Sequence, residues 1–376
     1  GNVLGMPDIA STEHDRHAAL NALDGALEAW LEHESFRRAV AETCSRAGYS
    51  KEDVEFQLRH VVERCRAATM RRVLNAELGV DADLSVAPET VLVLASGGVP
   101  GLVIEGIAAA FAIGAKALVR PSRDETVLHH LLRELPTLAP SAAHRIEIVG
   151  VEGEDPPWER AEAAIVFGSD STISYVRDHL PETARTRVAG YGSRQGIAVI
   201  APGAGIDTWW AEHLADDVLT FRQRGCMSPS WIYVVGSEDD TAPMVDAIGR
   251  ELATARDRHL APGVDDSVAQ RRANDADVLG AIAAGMAPDA TALYAGDARL
   301  TVVRVPDVES LRPQVGALGS LLQTAVVVAD DDCYRQVEQI LSEVGCTRIV
   351  LPGEAHEPDP LWPQDGIGRV APLLGQ

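Results

Sequence analysis

The sequence predicts an α/β protein of two α/β lobes with helices at its N-terminal end. Three observations carry that reading. From Val91 onward, short apolar runs alternate with helix-period segments, the pattern of a mostly parallel sheet covered on both faces. Before that point, from about Glu13 to Glu77, the pattern is helical and charged. The chain has 376 residues, of which 46% are hydrophobic, enough for two domains that each bury a core.

In order, residues 1–10 read as a loose leader. The helical region breaks near Gly48-Tyr-Ser50, and Ser50 followed by Glu52 and Asp53 reads as a helix start. Val91–Leu94 is the first strand. The turn Ser96-Gly-Gly-Val-Pro-Gly101 follows, then a helix to about Gly114. Lys116–Arg120 is the second strand, leading through Pro121-Ser122 into a helix from about Asp124 to Leu135. His129 and His130 lie within that helix and read as surface residues. Arg145–Val149, Ala163–Phe167 and Gly196–Ile200 are expected to complete the first sheet, with a helix over Thr172–Asp178. The domain change is placed near Pro202–Gly205. A helix-period segment from Thr208 to about Arg222 turns Trp209, Leu214, Val218 and Phe221 to its apolar side. Strands at Trp231–Val235, Leu300–Val305, Thr324–Ala329 and Arg348–Leu351, with helices near Thr241–Arg256 and Asp332–Glu343, form the second unit. Asp265–Asp289 is rich in Asp and Ala. The tail Glu354–Gln376 is rich in Pro and Gly.

Composition excludes several classes. A formal net charge of −23 disfavours a nucleic-acid groove or an anionic membrane surface, and 5% aromatic content disfavours a base-stacking platform. The most apolar region, Gly101–Val119, is interrupted by Glu105 and Lys116, so no membrane span is expected. Cys44, Cys65, Cys226, Cys333 and Cys346 form no Cys-x-x-Cys pair and have no metal-ligand spacing, so no metal site is expected. Scattered cysteines and a start with no basic-then-apolar pattern point to a reducing, cytoplasmic setting.

Four local features bear chemistry. Cys226 sits in a tight loop, Phe221–Ser230, between a helix and a strand. Gly225 frees the backbone there, and Pro229 ends any helix. Arg222 and Arg224 are close enough in sequence to favour a thiolate. The competing reading is a buried cysteine acting as a small hydrophobe. Backbone N–H groups of the turn at Ser96, Gly97 and Gly98 can hold a phosphate or an oxyanion, although strand–helix turns often need glycine for conformation alone. Gly168-Ser169 at another strand end is similar. Arg120 and Ser122 can present a cation and a hydroxyl to a nucleotide, the alternative being a surface arginine. No Ser/His/Asp array stands out.

Order and spacing together carry more. A glycine turn with Val-Pro, then Arg120-Pro-Ser122, Phe167-Gly-Ser169, Tyr191-Gly-Ser-Arg194 and Arg222-Gln-Arg-Gly-Cys-Met-Ser-Pro229 resembles the LuxC-like acyl-CoA reductases, a branch of the aldehyde dehydrogenase superfamily. The likeness runs from about Val91 to Gly368. The cysteine stretch and Trp362-Pro-Gln-Asp-Gly366 are its most specific parts.

The resemblance implies an aldehyde-dehydrogenase-like fold, with a Rossmann-like nucleotide domain and a catalytic domain meeting at an active cleft. The expected divisions are 1–204 for the N-terminal helices and nucleotide domain, 205–352 for the catalytic domain, and 353–376 for a tail returning to the nucleotide domain. Cys226 falls at the superfamily nucleophile. Arg120, with Ser122, falls at the adenosine ribose or its 2′-phosphate, and Gly168 and Ser169 at the pyrophosphate. Ser96 and Gly97 belong to the cofactor-side turn, and Asp297 falls near the nicotinamide-ribose glutamate. Two departures stand out. Gly98 occupies the position of an oxyanion-binding asparagine, and the deacylating glutamate falls at about Gly190.

The implied reaction is NADPH-dependent reduction of an acyl thioester, on CoA or an acyl-carrier protein, to an aldehyde, with NADH as the alternative cofactor. A homodimer or homotetramer is the assembly usual in the superfamily. Three other readings stay open: NAD(P)-dependent aldehyde oxidation, acyl-phosphate reduction, and a catalytically weak scaffold that binds a nucleotide or a partner.

Overall fold

The computed structural model describes residues 9–95, 97–150, 154–203, 209–260, 290–296 and 298–376. The chain divides into two compact units. One comprises Gly1–Thr43, Glu55–Gly192 and Asp359–Gln376; the other comprises Cys44–Val54 and Ser193–Pro358.

The first unit starts with α1 (Ile9–Leu31) and most of α2 (Glu34–Ala47), and resumes within α3 (Lys51–Cys65) before α4 (Ala67–Leu78). Ser50 caps α3 as its sequence suggests, its hydroxyl accepting from the N–H of Asp53 at 3.1 Å. Then come β1 (Thr90–Ala95), α5 (Leu102–Ala112), β2 (Lys116–Arg120), α6 (Leu128–Leu138), α7 (Pro140–Ala143), β3 (Ile146–Ile148), β4 (Ala163–Phe167), α8 (Asp170–His179) and β5 (Val188–Tyr191). The strands lie in the order β3-β2-β1-β4-β5, all parallel. β1 leads to β2 on one side, and the chain later returns to place β4 on the other. This reversal opens a crevice at the carboxyl ends of β1 and β4, where doubly wound sheets bind ligands.

β1 and β4 are buried on both faces, which explains why they read as continuous apolar runs. α5 is buried from Val103 to Ala112. Its one charge, Glu105, bonds Arg64 Nε at 3.1 Å and pairs with Arg369 Nη2 at 3.4 Å. Burial alone would raise the Glu105 carboxyl, but the two guanidinium groups outweigh it and hold the group below the usual carboxylate range. The C-terminal tail packs on this unit. Glu77 accepts from the backbone N–H groups of Arg369, Val370 and Ala371 at 2.7–2.9 Å, and the Tyr191 hydroxyl donates to the Gly368 carbonyl at 3.0 Å.

The second unit holds β6 (Gln195–Ile200), α9 (Trp209–Leu219), β7 (Pro229–Val235), α10 (Glu238–His259), β8 (Thr291–Ala295), β9 (Ala298–Val305), α11 (Leu311–Gly316), β10 (Leu322–Val328), α12 (Asp331–Glu343) and β11 (Arg348–Val350). Its sheet runs β11-β10-β6-β7-β9-β8, parallel except where β8 returns against β9. Strand alternation divides the core: Ala198 and Ile200 face the layer with Trp210, Leu214 and Ile248, while Ile197 and Val199 face Leu311, Val337 and Ile340.

Several expectations are corrected. Gly196–Ile200, read as the fifth strand of the first sheet, lies in the second, and the units divide at Gly192 and Ser193 instead of near Pro202–Gly205. The fifth strand of the first sheet is β5. α6 starts at Leu128, later than Asp124, because the Glu125 carboxylate accepts from the N–H groups of Val127 and Leu128 and caps it there. Trp209 is exposed and Trp210 is buried in its place, while Leu214, Val218 and Phe221 are buried as expected. His130 is buried, not superficial. Ser96, Asp297 and the stretch Asp265–Asp289 lie outside the described residues. No described helix is long and apolar enough to cross a membrane.

Candidate active site

In the second unit, α9 ends at Leu219 and the chain tightens into a 3₁₀ turn over Thr220–Gln223. Phe221, Arg222 and Gln223 then adopt left-handed backbone angles, with φ of 52°, 53° and 59°. Three consecutive residues with side chains in that region cost on the order of 1 kcal/mol or more each, and they persist only when their surroundings over-determine them. Here the surroundings do. The Gln223 amide donates to the carbonyls of Pro229 and Arg299, each at 2.8 Å, and its oxygen accepts from the Arg299 N–H at 2.9 Å. Phe221 is buried edge-on against Tyr49 and His356, at centroid distances of 5.6 and 5.7 Å.

Beyond the strained segment the backbone makes a turn. The Ser228 N–H donates to the Gly225 carbonyl at 3.1 Å, leaving Cys226 and Met227 at the apex. This turn crosses the start of β6 very closely. A Cβ on Gly196 would stand 2.6 Å from the Met227 carbonyl oxygen and 2.7 Å from that of Ser228, so only glycine admits the crossing. Arg224 is directed to Tyr49, donating to its hydroxyl at 2.9 Å and lying over its ring. His356 sits beneath the turn: its Nε2 donates to the Asp217 carbonyl at 2.8 Å, and its Cε1 is 3.6 Å from where a Gly225 Cβ would stand. Burial pushes the His356 pKa down to about 4, so the ring is neutral at ordinary pH.

The other thiols are set differently. Burial pushes Cys65 up to about 12 and Cys346 up to about 11. Cys333 is also raised, by burial and then by Asp330. Cys226 is only partly buried. A partly exposed cysteine at the apex of a pinned turn can meet a substrate in a way that Cys65 and Cys346 cannot.

In the first unit, the sequence-selected residues gather at the carboxyl edge of the sheet. Gly97 follows β1, Arg120 and Ser122 follow β2, and Gly168 and Ser169 follow β4. A Cβ on Gly97 would stand 2.8 Å from the Ser122 hydroxyl and 2.7 Å from Asp124 Cβ, so the glycine turn and the segment after β2 are in contact. The Ser122 hydroxyl is buried and has no hydrogen-bond partner among the described residues. The Arg120 side chain lies over Gly150, just after β3. Ser169, just after β4, caps α8, accepting from the Thr172 N–H at 3.1 Å. Among the described residues, chain neighbours aside, nothing lies within 4 Å of a Cβ position on Gly98. A glycine cradle, an unsatisfied hydroxyl, a nearby guanidinium and a helix start together fit the phosphates and ribose of a dinucleotide.

Comparison with protein families matches residues 12–292, well over half of the chain, to acyl-CoA reductase (LuxC). The chain belongs to the LuxC acyl-CoA reductase family. No curated protein matches the sequence significantly. Solved structures share its fold. An oxidoreductase from Marinobacter aquaeolei has 12% identity and a TM-score of 0.70, over 99% of this chain and 86% of that one. HpcC from Thermus thermophilus has 14% identity and a TM-score of 0.69, over 91% and 74%. Aldehyde dehydrogenase 21 from Physcomitrella patens, solved with the reaction product succinate, has 12% identity and a TM-score of 0.65, over 93% and 81%. This LuxC-family chain is therefore an oxidoreductase of the acyl and aldehyde level with the aldehyde dehydrogenase fold, and the family implies a nicotinamide cofactor and an acyl substrate.

Sequence reasoning selected Cys226 but missed what holds it. Gln223, Gly196 and His356 act through residues distant in the chain, and no local pattern marks them. Gly190 is placed in β5 with Ile173 of α8 against it, where a Cβ would stand 2.8 Å from Ile173 Cγ2. A longer side chain fits there only if the Ile173 side chain shifts.

Proposed function

We propose that this chain reduces an acyl thioester, carried on CoA or an acyl-carrier protein, to the aldehyde through a thioester formed on Cys226. The observation that carries the proposal is the strained turn: three left-handed residues are pinned by Gln223 and Phe221 immediately before one partly exposed cysteine. A merely space-filling cysteine needs no such support.

The Cys226 thiolate attacks the thioester carbonyl. A new carbon–sulfur bond forms, and the bond to the departing thiol breaks. The nicotinamide cofactor, when bound, supplies the hydride that reduces the acyl group. The resulting oxyanion then collapses, the bond to Cys226 breaks, and aldehyde and thiolate are released. The backbone N–H of Cys226 is the proposed oxyanion partner. Gly97, Ser122, Gly168 and Ser169 are the proposed phosphate and ribose contacts. Arg120 has a permanent charge suited to a 2′-phosphate, which favours NADPH over NADH. Gly190 supplies no base to activate water, so the acyl group on Cys226 resists hydrolysis.

The test is turnover of a panel of acyl-CoA thioesters with NADPH or NADH. Aldehyde should form in step with NADPH consumption and thiol release, with little free acid and with slower turnover on NADH. Free acid as the main product, or thiol release without cofactor oxidation, would contradict the reductase reading.

A further inference from the structure

One cluster outside the proposed active site brings metal-ligating groups together. Glu42 of α2 faces His129 and His130 at the start of α6, all within the first unit. Glu42 Oε2 lies 2.9 Å from His130 Nε2 and 3.3 Å from His129 Nε2. The two imidazoles are close, with centroids 4.0 Å apart and planes 36° from parallel. One ligand atom from each residue lies within 4.8 Å of the others.

Two of these separations are close to those of a coordination shell. Ligand atoms at about 2.0–2.1 Å from a tetrahedral ion are roughly 3.3 Å from one another. The two oxygen–nitrogen distances are already near that edge length, and the imidazole ligand atoms, within 4.8 Å of each other, complete the shell by rotation of their side chains. Position favours the same reading. The His130 side chain is only 8% exposed, which holds it in place, while His129 is 47% exposed and leaves a path for an ion and for water as a fourth ligand. Beside the cluster, the hydroxyls of Thr43 and Thr126 are bonded at 2.5 Å and fix α2 against the segment leading into α6. Two imidazole nitrogens and one carboxylate oxygen suit Zn²⁺, Ni²⁺ or Cu²⁺, not Mg²⁺ or Ca²⁺, which prefer all-oxygen shells.

We propose that Glu42, His129 and His130 bind a single borderline divalent ion, Zn²⁺ foremost, which ties α2 to the start of α6. The site is distinct from the residues proposed for acyl reduction, and its role is structural.

The test uses the full chain, treated with chelator, dialysed and titrated with Zn²⁺ by calorimetry, with thermal melting in parallel. One Zn²⁺ per chain should bind and raise Tm, because an ion that binds the folded state alone stabilises it by mass action. Ca²⁺ should do neither. Glu42→Gln and His129→Ala change partly exposed positions and should each weaken binding at least about tenfold, a loss within the range seen when support for a metal ligand is removed. Co²⁺ bound in place of Zn²⁺ should show no sulfur-to-cobalt charge-transfer band, which separates this site from the cysteines. Absence of stoichiometric Zn²⁺ binding, unchanged binding in both variants, or a sulfur band would overturn the proposal.

Discussion

At the scale of single residues, Gly98 poses the sharpest question. In the superfamily this family resembles, an asparagine at that position donates to the oxyanion. Among the described residues, chain neighbours aside, a Cβ there would meet no heavy atom within 4 Å, and the backbone is not left-handed. One oxyanion donor is typically worth about a hundred- to a thousandfold in rate. Gly98→Asn should therefore fold normally and raise the single-turnover rate of acyl-CoA reduction with NADPH by at least about tenfold. A stable variant that is slower than the parent would show that backbone donors arranged around glycine already do this work. Gly190 differs: Ile173 fills the space beside it, so a glutamate placed there must displace that side chain.

At the scale of elements, the cysteine turn depends on β6. Gly196 lets the backbone of Met227 and Ser228 pass, so Gly196→Ala must push the turn outward. Overpacking of this kind costs about 1–3 kcal/mol, and misplacing a reacting group by about 1 Å can cost about a hundredfold in rate. Gly196→Ala should lower kcat far more than it raises KM, with a modest drop in Tm. Unchanged kcat would show that the turn need not be held where it is.

The elements also show what the sequence could and could not disclose. β1, β2 and β4 were legible because burial on both faces makes them continuous apolar runs bounded by Gly, Pro and Ser. β5 was not, because Val188-Ala-Gly-Tyr191 is four residues long and includes a glycine. The transfer of β6 to the second sheet was not legible either. Hydrogen bonding to β7 and β10 decides sheet membership, and strand-level pattern does not report it. Cys226 was singled out from its own loop and the family resemblance. Its clamp was hidden because Gln223 bonds Arg299, 76 positions away in the sequence. The partnership of His130 with Glu42, 88 positions away, was hidden for the same reason.

At the scale of the whole molecule, stability should depend on pH through His259 at the end of α10. Its Nδ1 lies 2.9 Å from both carboxylate oxygens of Asp53, and its Nε2 lies 2.9 Å from Asp216. Burial would lower its pKa, but hydrogen bonds to Asp216 and Asp53 outweigh it and push the value up to about 9, from 6.5 in the unfolded chain. A raised value for a cation means that its stabilisation is complete below about pH 6.5 and is lost as pH rises through about 9. The loss should be on the order of 1–3 kcal/mol. Urea unfolding of the parent should show declining stability between pH 7 and 9, and His259→Gln should show a smaller decline. Parallel curves for the two proteins would rule out this ion cluster as the cause. The central claim, that Cys226 carries the acyl group, is also a statement about every thiol in the chain. It is tested most directly by intact-mass analysis of the protein incubated with acyl-CoA and no nicotinamide cofactor, followed by peptide mapping. The expected result is one acyl group per chain, on Cys226, that disappears when NADPH is added and is absent from Cys226→Ala. An adduct on Cys333 or Cys346 instead, or none at all on a protein that still makes aldehyde, would contradict it.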